Sequence, residues 1–226
     1  MIAIRCHFWY LYVMKFKELM EIVGDEAVFE ASLLVSGEVE PADVHRQLSR
    51  WTTAGKVYQL RRGLYALAPP FQKIKPHPFA VANRLVRSSY VTSQSALAFY
   101  GMIPEHVSTV TSVTTLRPGL WKTPLGTFQF QHIQHALFFG YRRMDLGNRQ
   151  TAFVATPEKA LIDLIYLQPG TNSSDYLIEL RLQQLDQLNT TELKRTADLI
   201  QRPKLQGAAA KIMELARAEK GEYETI

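Results

Sequence analysis

The sequence predicts an α+β protein made of two domains, and three observations support that prediction. Three short amphipathic stretches followed by two β-like runs fill the segment that ends at Leu67. A proline-rich stretch follows, and beyond it β-branched or alternating runs are interleaved with helical patterns. The length of 226 residues corresponds to about one or two domains.

The first predicted helix covers Phe16 to Val23, because apolar residues recur there at the i, i+3, i+4, i+7 spacing of an amphipathic helix. A second short helix is predicted from Val28 to Leu34. The third begins at Pro41, a residue suited to the first turn of a helix, and runs to about Ala54. Two strands, from Lys56 to Leu60 and from Leu64 to Leu67, enclose the turn Arg61-Arg62-Gly63.

The predicted second domain contains a mostly antiparallel sheet and a helical C-terminal part. Helices are predicted at 79–86 and 93–100, and strands at 107–115, 127–133 and 152–155. A further helix begins at Thr156-Pro157-Glu158, and three more lie near 175–185, 191–200 and 204–218. The resulting divisions are an N-terminal extension at 1–13, a first domain at 14–70, a proline-rich linker at 71–78 and a second domain at 79–226.

The N-terminal extension is almost entirely apolar and aromatic from Ile2 to Val13. It lacks the basic region and the small-residue cleavage site of a signal peptide. We hypothesise that translation begins at Met14, and the alternative is an additional edge strand or a packing arm. No apolar run reaches the roughly 18 residues that span a bilayer, and Cys6 is the only cysteine. The sequence therefore predicts a cytoplasmic protein with no disulfide framework and no membrane association.

Charge is distributed unevenly along the first domain. The segment 15–40 has two basic and seven acidic residues, whereas the segment 41–75 has seven basic residues and one acidic residue. The net charge of the whole chain is +5 and the sequence pI is near 9.3. Adjacent segments of opposite sign indicate a small domain with one positively charged face, which is typical of DNA-binding proteins.

Three helices followed by a two-stranded hairpin is the order of a winged helix-turn-helix. At about 100° per residue, Val44, Leu48 and Trp51 lie on one stripe of the third helix, and polar residues lie opposite. Arginine and glutamine there have the hydrogen-bonding groups that recognise guanine and adenine in the major groove, and the hairpin arginines suit phosphates. The candidate DNA-binding residues are Arg46, Gln47, Ser49, Arg50, Thr53, Lys56, Arg61 and Arg62.

Three stretches in order resemble the AbiEi-type antitoxins of bacterial abortive-infection systems. They are Gly55–Tyr65 (GKVYQLRRGLY), Tyr90–Gly101 (YVTSQSALAFYG) and Thr156–Leu164 (TPEKALIDL). The resemblance extends from about Lys15 to the last helices. It implies a transcriptional autorepressor that binds repeats in its own promoter and is also the antitoxin of a type IV toxin–antitoxin pair. It further implies a nucleotidyltransferase-like toxin as functional partner, without a general need for direct contact, and a C-terminal domain that supports antitoxicity and repression.

The second domain offers few candidates for catalysis. Glu158, Lys159 and Asp163 invite comparison with metal-dependent nucleases, but adjacent helical residues point about 100° apart. We interpret Glu158 as a first-turn acid at the helix dipole and Asp163 as an i, i+4 partner of Lys159. His132 and His135, with His106 nearby, lack the cysteine or acidic partner that a metal site needs. We expect no enzymatic activity, no metal and no cofactor.

Five basic residues of the second domain are opposed only by Asp145 across 117–149: Arg117, Lys122, Arg142, Arg143 and Arg149. They would extend a DNA-contact surface, meet an acidic partner or form a solvated face. Two alternative functions stay open at this point. One is a nuclease targeted by the winged helix, and the other is a transcriptional regulator whose second domain senses a ligand.

Overall fold

A computed structural model describes residues 14–35, 40–105 and 107–223. The chain forms two compact units, unit 1 up to Pro76 and unit 2 from His77. This division falls inside the stretch 71–78 that the sequence predicts as a linker. The predicted extension at 1–13 lies outside the described residues.

The described part of unit 1 combines two helices with a small antiparallel sheet. Its elements are α1 (Phe16–Val23), β1 (Phe29–Glu30), a 3-10 turn (Ala31–Leu34), α2 (Pro41–Thr53), β2 (Val57–Arg61) and β3 (Leu64–Leu67). The sheet order is β1-β3-β2, so β3 lies in the middle. The predicted first and third helices and the hairpin are therefore confirmed, within one or two residues at their ends.

The prediction of a regular second helix from Val28 to Leu34 is wrong. Phe29 and Glu30 pair with β3 instead, with Phe29 opposite Tyr65 at a ring-centroid distance of 6.0 Å. The backbone N–H of Ala31 donates to the carbonyl of Gly63 at 2.9 Å. Burial of Phe29 and pairing with the edge of β3 outweigh the local helical preference of this short segment, and only a 3-10 turn follows the strand.

The core of unit 1 lies between the helices and the sheet. Leu19 of α1 packs there with the α2 residues Leu48 and Trp51. The Phe16 ring meets Trp51 edge-on at 5.5 Å and Phe71 edge-on at 4.8 Å. Phe71, which the sequence placed at the start of the linker, therefore packs against the core of unit 1.

Unit 2 is built on a six-stranded mixed sheet with the order β6-β7-β5-β4-β9-β8. Its strands are β4 (Ser89–Val91), β5 (Thr109–Thr114), β6 (Gly119–Thr123), β7 (Gly126–His132), β8 (Tyr141–Asp145) and β9 (Thr151–Ala155). The pairs β4–β9 and β5–β7 are parallel and the other three are antiparallel. The sheet is thus mostly antiparallel, as predicted, but the sequence did not indicate β4, β6 or β8.

The helices of unit 2 are α3 (Pro78–Leu85), α4 (Ser93–Phe99), α5 (Pro157–Leu167), α6 (Ser174–Glu179), α7 (Thr190–Ile200) and α8 (Pro203–Tyr223). Helix α5 begins as predicted, because the Thr156 hydroxyl oxygen accepts a hydrogen bond from the Lys159 backbone N–H at 3.3 Å. Helix α6 ends at Glu179, earlier than the predicted 185. Within the described ranges, no helix is both long and apolar enough to cross a membrane.

Candidate nucleic-acid interface

Helix α2 has one buried and one exposed face. Val44, Leu48 and Trp51 are buried, as the spacing predicts. The side chains exposed to solvent on this helix include His45, Arg46, Ser49, Arg50 and Thr53. Because the two faces lie on opposite sides of the helix, packing of α2 into the core leaves its polar face at the surface of unit 1.

Contacts within the helix hold part of this polar face in place. Arg46 forms an ion pair with Asp43 at 3.0 Å, and its side chain remains 57% exposed. The Arg50 guanidinium donates to the Gln47 amide oxygen at 3.4 Å. Gln47 is half-buried and donates its amide nitrogen to the Met14 carbonyl at 3.3 Å. Arg46 and Arg50 therefore present charge to solvent, whereas both ends of the Gln47 amide are engaged inside unit 1.

The remaining predicted residues are Arg61 and Arg62 of the β2–β3 hairpin and Lys56, directly before β2. Gly63 has a φ of +80°, a conformation that favours glycine at the turn. Arg62 is exposed, and its carbonyl accepts a hydrogen bond from the half-buried Arg61 guanidinium at 3.1 Å. The Lys56 ammonium lies 5.0 Å from the centre of the Phe16 ring. Among these three cations, Arg62 is the one that the hairpin leaves most open to a partner.

The structure thus places every predicted site residue in unit 1, on α2, on the hairpin that follows it or, for Lys56, directly before β2. His45 is an exposed residue of α2 that was not predicted from the sequence as a DNA-binding candidate. His45 lies four residues, or about one turn, before Ser49 and therefore on the border of the polar face of α2. This i, i+4 spacing could have indicated His45 from the sequence.

Unit 2 contains a buried polar cluster formed by Tyr90, Thr92, Lys159 and Asp163. The Lys159 ammonium donates to one carboxylate oxygen of Asp163 and, at 2.8 Å, to the Tyr90 hydroxyl. The second carboxylate oxygen accepts from the hydroxyl of Tyr90 at 3.0 Å and from that of Thr92 at 2.8 Å. Both side chains of the ion pair are only 1% exposed. The predicted i, i+4 pairing of Lys159 with Asp163 is confirmed.

Burial governs the electrostatics of this cluster. It raises the pKa of Asp163, and the Lys159 ammonium and the two hydroxyl donors oppose that shift. The pKa of Tyr90 is raised by burial and by the neighbouring Asp163 carboxylate. A Cβ added at Gly140 would lie 2.9 Å from the Lys159 Cγ, so this glycine allows the backbone to close over the lysine. The cluster is sealed from solvent.

Glu158 has a tertiary contact in addition to its place in the first turn of α5. Its carboxylate accepts a hydrogen bond from the Asn189 backbone N–H at 2.9 Å, directly before α7 begins. Within the described part of the chain, no group of three or more histidine, cysteine or acidic residues could hold a metal ion. His132 is exposed, with its Nδ1 3.2 Å from the Leu116 carbonyl, and His106 lies outside the described residues.

The five basic residues of unit 2 singled out from the sequence do not form a single patch. All five are exposed. Lys122 lies on β6 and Arg142 and Arg143 lie on β8, and these strands are the opposite edges of the sheet. Four strands separate the two groups, so they cannot act as one continuous charged surface on the sheet.

Comparisons with known proteins give a likeness of fold. No family model matches the chain, and no curated protein matches it. Among solved structures, the RV2827C protein from Mycobacterium tuberculosis is similar over 88% of this chain and 76% of its own, with a TM-score of 0.57 and 16% sequence identity. At this level of identity the likeness shows a shared fold alone.

Proposed function

We propose that the protein binds double-stranded DNA through unit 1, acting as a winged helix with α2 as the recognition helix and the β2–β3 hairpin as the wing. The observation that carries this proposal is the exposed face of α2. That face presents Arg46, Ser49, Arg50 and Thr53 on the side opposite the core.

The topology of unit 1 supports this proposal. The order helix, strand, short helical turn, helix and hairpin, with β1 beside β3, matches the order expected of a winged helix. An α-helix fits the major groove of B-DNA, where an arginine can donate two hydrogen bonds to guanine. Arg62 at the hairpin turn is exposed and would meet phosphate, which adds affinity and salt dependence but little sequence discrimination.

The cellular role follows from the resemblance to AbiEi-type antitoxins. We infer an autorepressor that binds repeats in its own promoter and acts as the antitoxin of a type IV pair with a nucleotidyltransferase-like toxin. Two of the three stretches that carry the resemblance converge in unit 2. Tyr90 and Thr92 come from one, Lys159 and Asp163 from the other, and all four meet in the buried cluster. These stretches therefore support a common architecture rather than a common catalytic site.

The test measures binding to the DNA upstream of the gene. We expect Arg46→Ala and Arg50→Ala each to weaken operator binding by about 1–3 kcal/mol and to weaken binding to random duplex less, so that discrimination between the two falls. Lys17→Ala is the matched control, because Lys17 is an 83% exposed cation on α1 of the same unit. If both arginine variants bind operator and random DNA as the parent does, α2 is not the recognition helix.

The antitoxin role has a separate test. Co-expression with the product of the neighbouring reading frame should relieve its toxicity if that product is a nucleotidyltransferase-like toxin. The operator-binding variants should keep this rescue when expressed from an unrelated promoter, because the resemblance assigns antitoxicity to the second domain. Loss of rescue in those variants would contradict this division of roles.

A further inference from the structure

We propose that unit 2 carries a binding site for a nucleoside monophosphate in a pocket between α3 and the β8–β9 edge of the sheet. The pocket has a volume of about 230 Å³. Arg84, Arg87 and Arg143 line it, together with Thr151 and Phe153. This site lies entirely within unit 2 and goes beyond the proposed DNA binding.

The charge of the pocket favours a dianion. Arg84 lies in the last turn of α3, Arg87 follows that helix, and Arg143 lies on β8. No carboxylate is among the described residues that line the pocket. Arg84 and Arg87 take part in other interactions as well, so a ligand would join existing contacts. Three arginines that line one small pocket suit a phosphomonoester, which carries more charge than an internal phosphodiester and offers three oxygens.

Two hydrogen-bonded side chains hold the walls of the pocket. The Arg143 Nε donates to the Thr151 hydroxyl at 3.2 Å across the β8–β9 pair, which orients the guanidinium plane. The two terminal nitrogens of the Arg143 guanidinium would then donate to two oxygens of the nucleotide phosphate in a bidentate contact. Asn83 accepts from the Phe153 backbone N–H at 2.6 Å and donates to the Ser89 carbonyl at 3.2 Å, which ties α3 to the sheet. The site is thus preorganised on regular elements.

Phe153 supplies a second recognition element beside the charge. It lies opposite Arg143 in the β8–β9 register, is 41% exposed, and meets the Tyr141 ring edge-on at 5.6 Å. An exposed aromatic face next to guanidinium groups allows a nucleobase to stack while its phosphate pairs with arginine. The volume is below the roughly 300–1,000 Å³ of sites that enclose a drug-sized ligand, so part of a bound nucleotide would stay outside the pocket in solvent. A nucleoside monophosphate has both the phosphate and the flat ring.

The test is isothermal titration of the full chain with the four common nucleoside monophosphates, inorganic phosphate, adenosine and a dinucleotide that has a free 5′-hydroxyl. We expect the monophosphates to bind more tightly than phosphate alone and adenosine to bind most weakly. Arg143→Gln should weaken nucleotide binding about tenfold, as expected for the loss of a charge-assisted contact. Phe153→Leu should lower nucleotide affinity towards that of inorganic phosphate and leave phosphate binding unchanged.

Arg142→Gln is the matched control. Arg142 is the preceding residue on β8, also exposed, and side chains alternate between the faces of a strand. This variant should bind nucleotide as the parent does, and so should Arg50→Ala in unit 1. Absence of binding by every monophosphate, or equal losses in Arg142→Gln and Arg143→Gln, would overturn the proposal. Tighter binding of a 5′-hydroxyl dinucleotide than of any monophosphate would also overturn the proposal, because the pocket would then recognise an internal phosphodiester rather than a phosphomonoester. No DNA duplex is present in the titration, so the result is independent of the proposed DNA binding.

Discussion

At the scale of single residues, the environment of Lys159 and Asp163 is decided by other segments. Their i, i+4 spacing is equally compatible with an exposed surface pair, yet both side chains are buried. Tyr90 and Thr92, about 70 residues earlier in the chain, supply the hydroxyl groups that complete the hydrogen bonding of the carboxylate. Burial makes the pair costly to break, because a charge left alone in the interior has no solvent to compensate it.

We predict that Lys159→Met lowers the free energy of unfolding by about 3–5 kcal/mol, since it leaves the Asp163 carboxylate buried without its cation. Urea denaturation of the full chain, followed by circular dichroism, measures this change. The double variant Lys159→Met/Asp163→Leu should recover part of the loss, because it removes the unpaired charge as well.

Arg195→Ala provides the control for this comparison. Arg195 pairs with Glu192 on α7 at 2.8 Å, and its side chain is 76% exposed. Solvent-exposed ion pairs contribute little to stability, so unfolding of this variant should resemble that of the parent. Equal effects of Lys159→Met and Arg195→Ala would show that the buried cluster does not stabilise unit 2.

At the scale of elements, the sequence predicted those whose signal is local. Helices α1, α2 and α5 have apolar residues at helical spacing, and α2 and α5 begin with a proline in the first turn. The strands β4 and β6 escaped prediction for opposite reasons. β4 has three residues, all buried, and β6 is exposed along most of its length, so neither shows alternation. Both exist because of the strands they pair with, and pairing partners are not encoded locally.

The same distinction applies to the candidate sites. The exposed face of α2 was predictable, because one helix contains both the buried stripe and the polar residues opposite. Gln47 contacts Met14 and Lys56 contacts Phe16, and both contacts depend on how the N-terminal segment packs. The sequence does not show these contacts, so Gln47 and Lys56 were predicted as DNA-binding residues together with the exposed ones. The arginine pocket of unit 2 combines residues of α3 with residues of β8 and β9 about 60 positions later. No spacing rule brings such distant segments together.

Helix α3 provides a prediction of pH dependence. The His77 Nδ1 accepts a hydrogen bond from the Phe79 backbone N–H at 3.1 Å and so caps the helix. Burial lowers the pKa of His77 below its usual value of about 6.5. The neutral ring is favoured in the folded state, and its contribution to stability is present above about pH 6.5 and lost as the pH falls through the lowered pKa.

His77→Asn separates this effect from that of the other histidines, because asparagine keeps a capping acceptor and does not titrate in this range. We expect thermal unfolding of the parent to lose more stability than that of the variant between about pH 7 and pH 5. Identical pH profiles for the two proteins would contradict the capping role of the neutral imidazole.

At the scale of the whole molecule, the division into two compact units separates the two proposed binding activities. The candidate DNA-binding residues all lie before Pro76, and the proposed nucleotide pocket lies entirely after it. The segment 41–75 carries a net charge of +6 from seven basic residues and one acidic residue. The proposed DNA binding by unit 1 should therefore weaken steeply as salt rises, because counterions released from DNA favour association at low salt.

We predict that a fragment of residues 1–76 folds alone and binds the operator, with a slope of log affinity against log salt of about −3 or steeper. The boundary matters, because Phe71 packs against Phe16 and the core of unit 1. A fragment ending at Pro70 loses this contact and should be less stable by about 1 kcal/mol, as should Phe71→Ala in the longer fragment. Thermal unfolding and a salt titration of operator binding measure both effects.

The complementary fragment of residues 77–226 should show no specific operator binding. Specific binding by that fragment, with none by a folded fragment of residues 1–76, would refute the assignment of DNA recognition to unit 1.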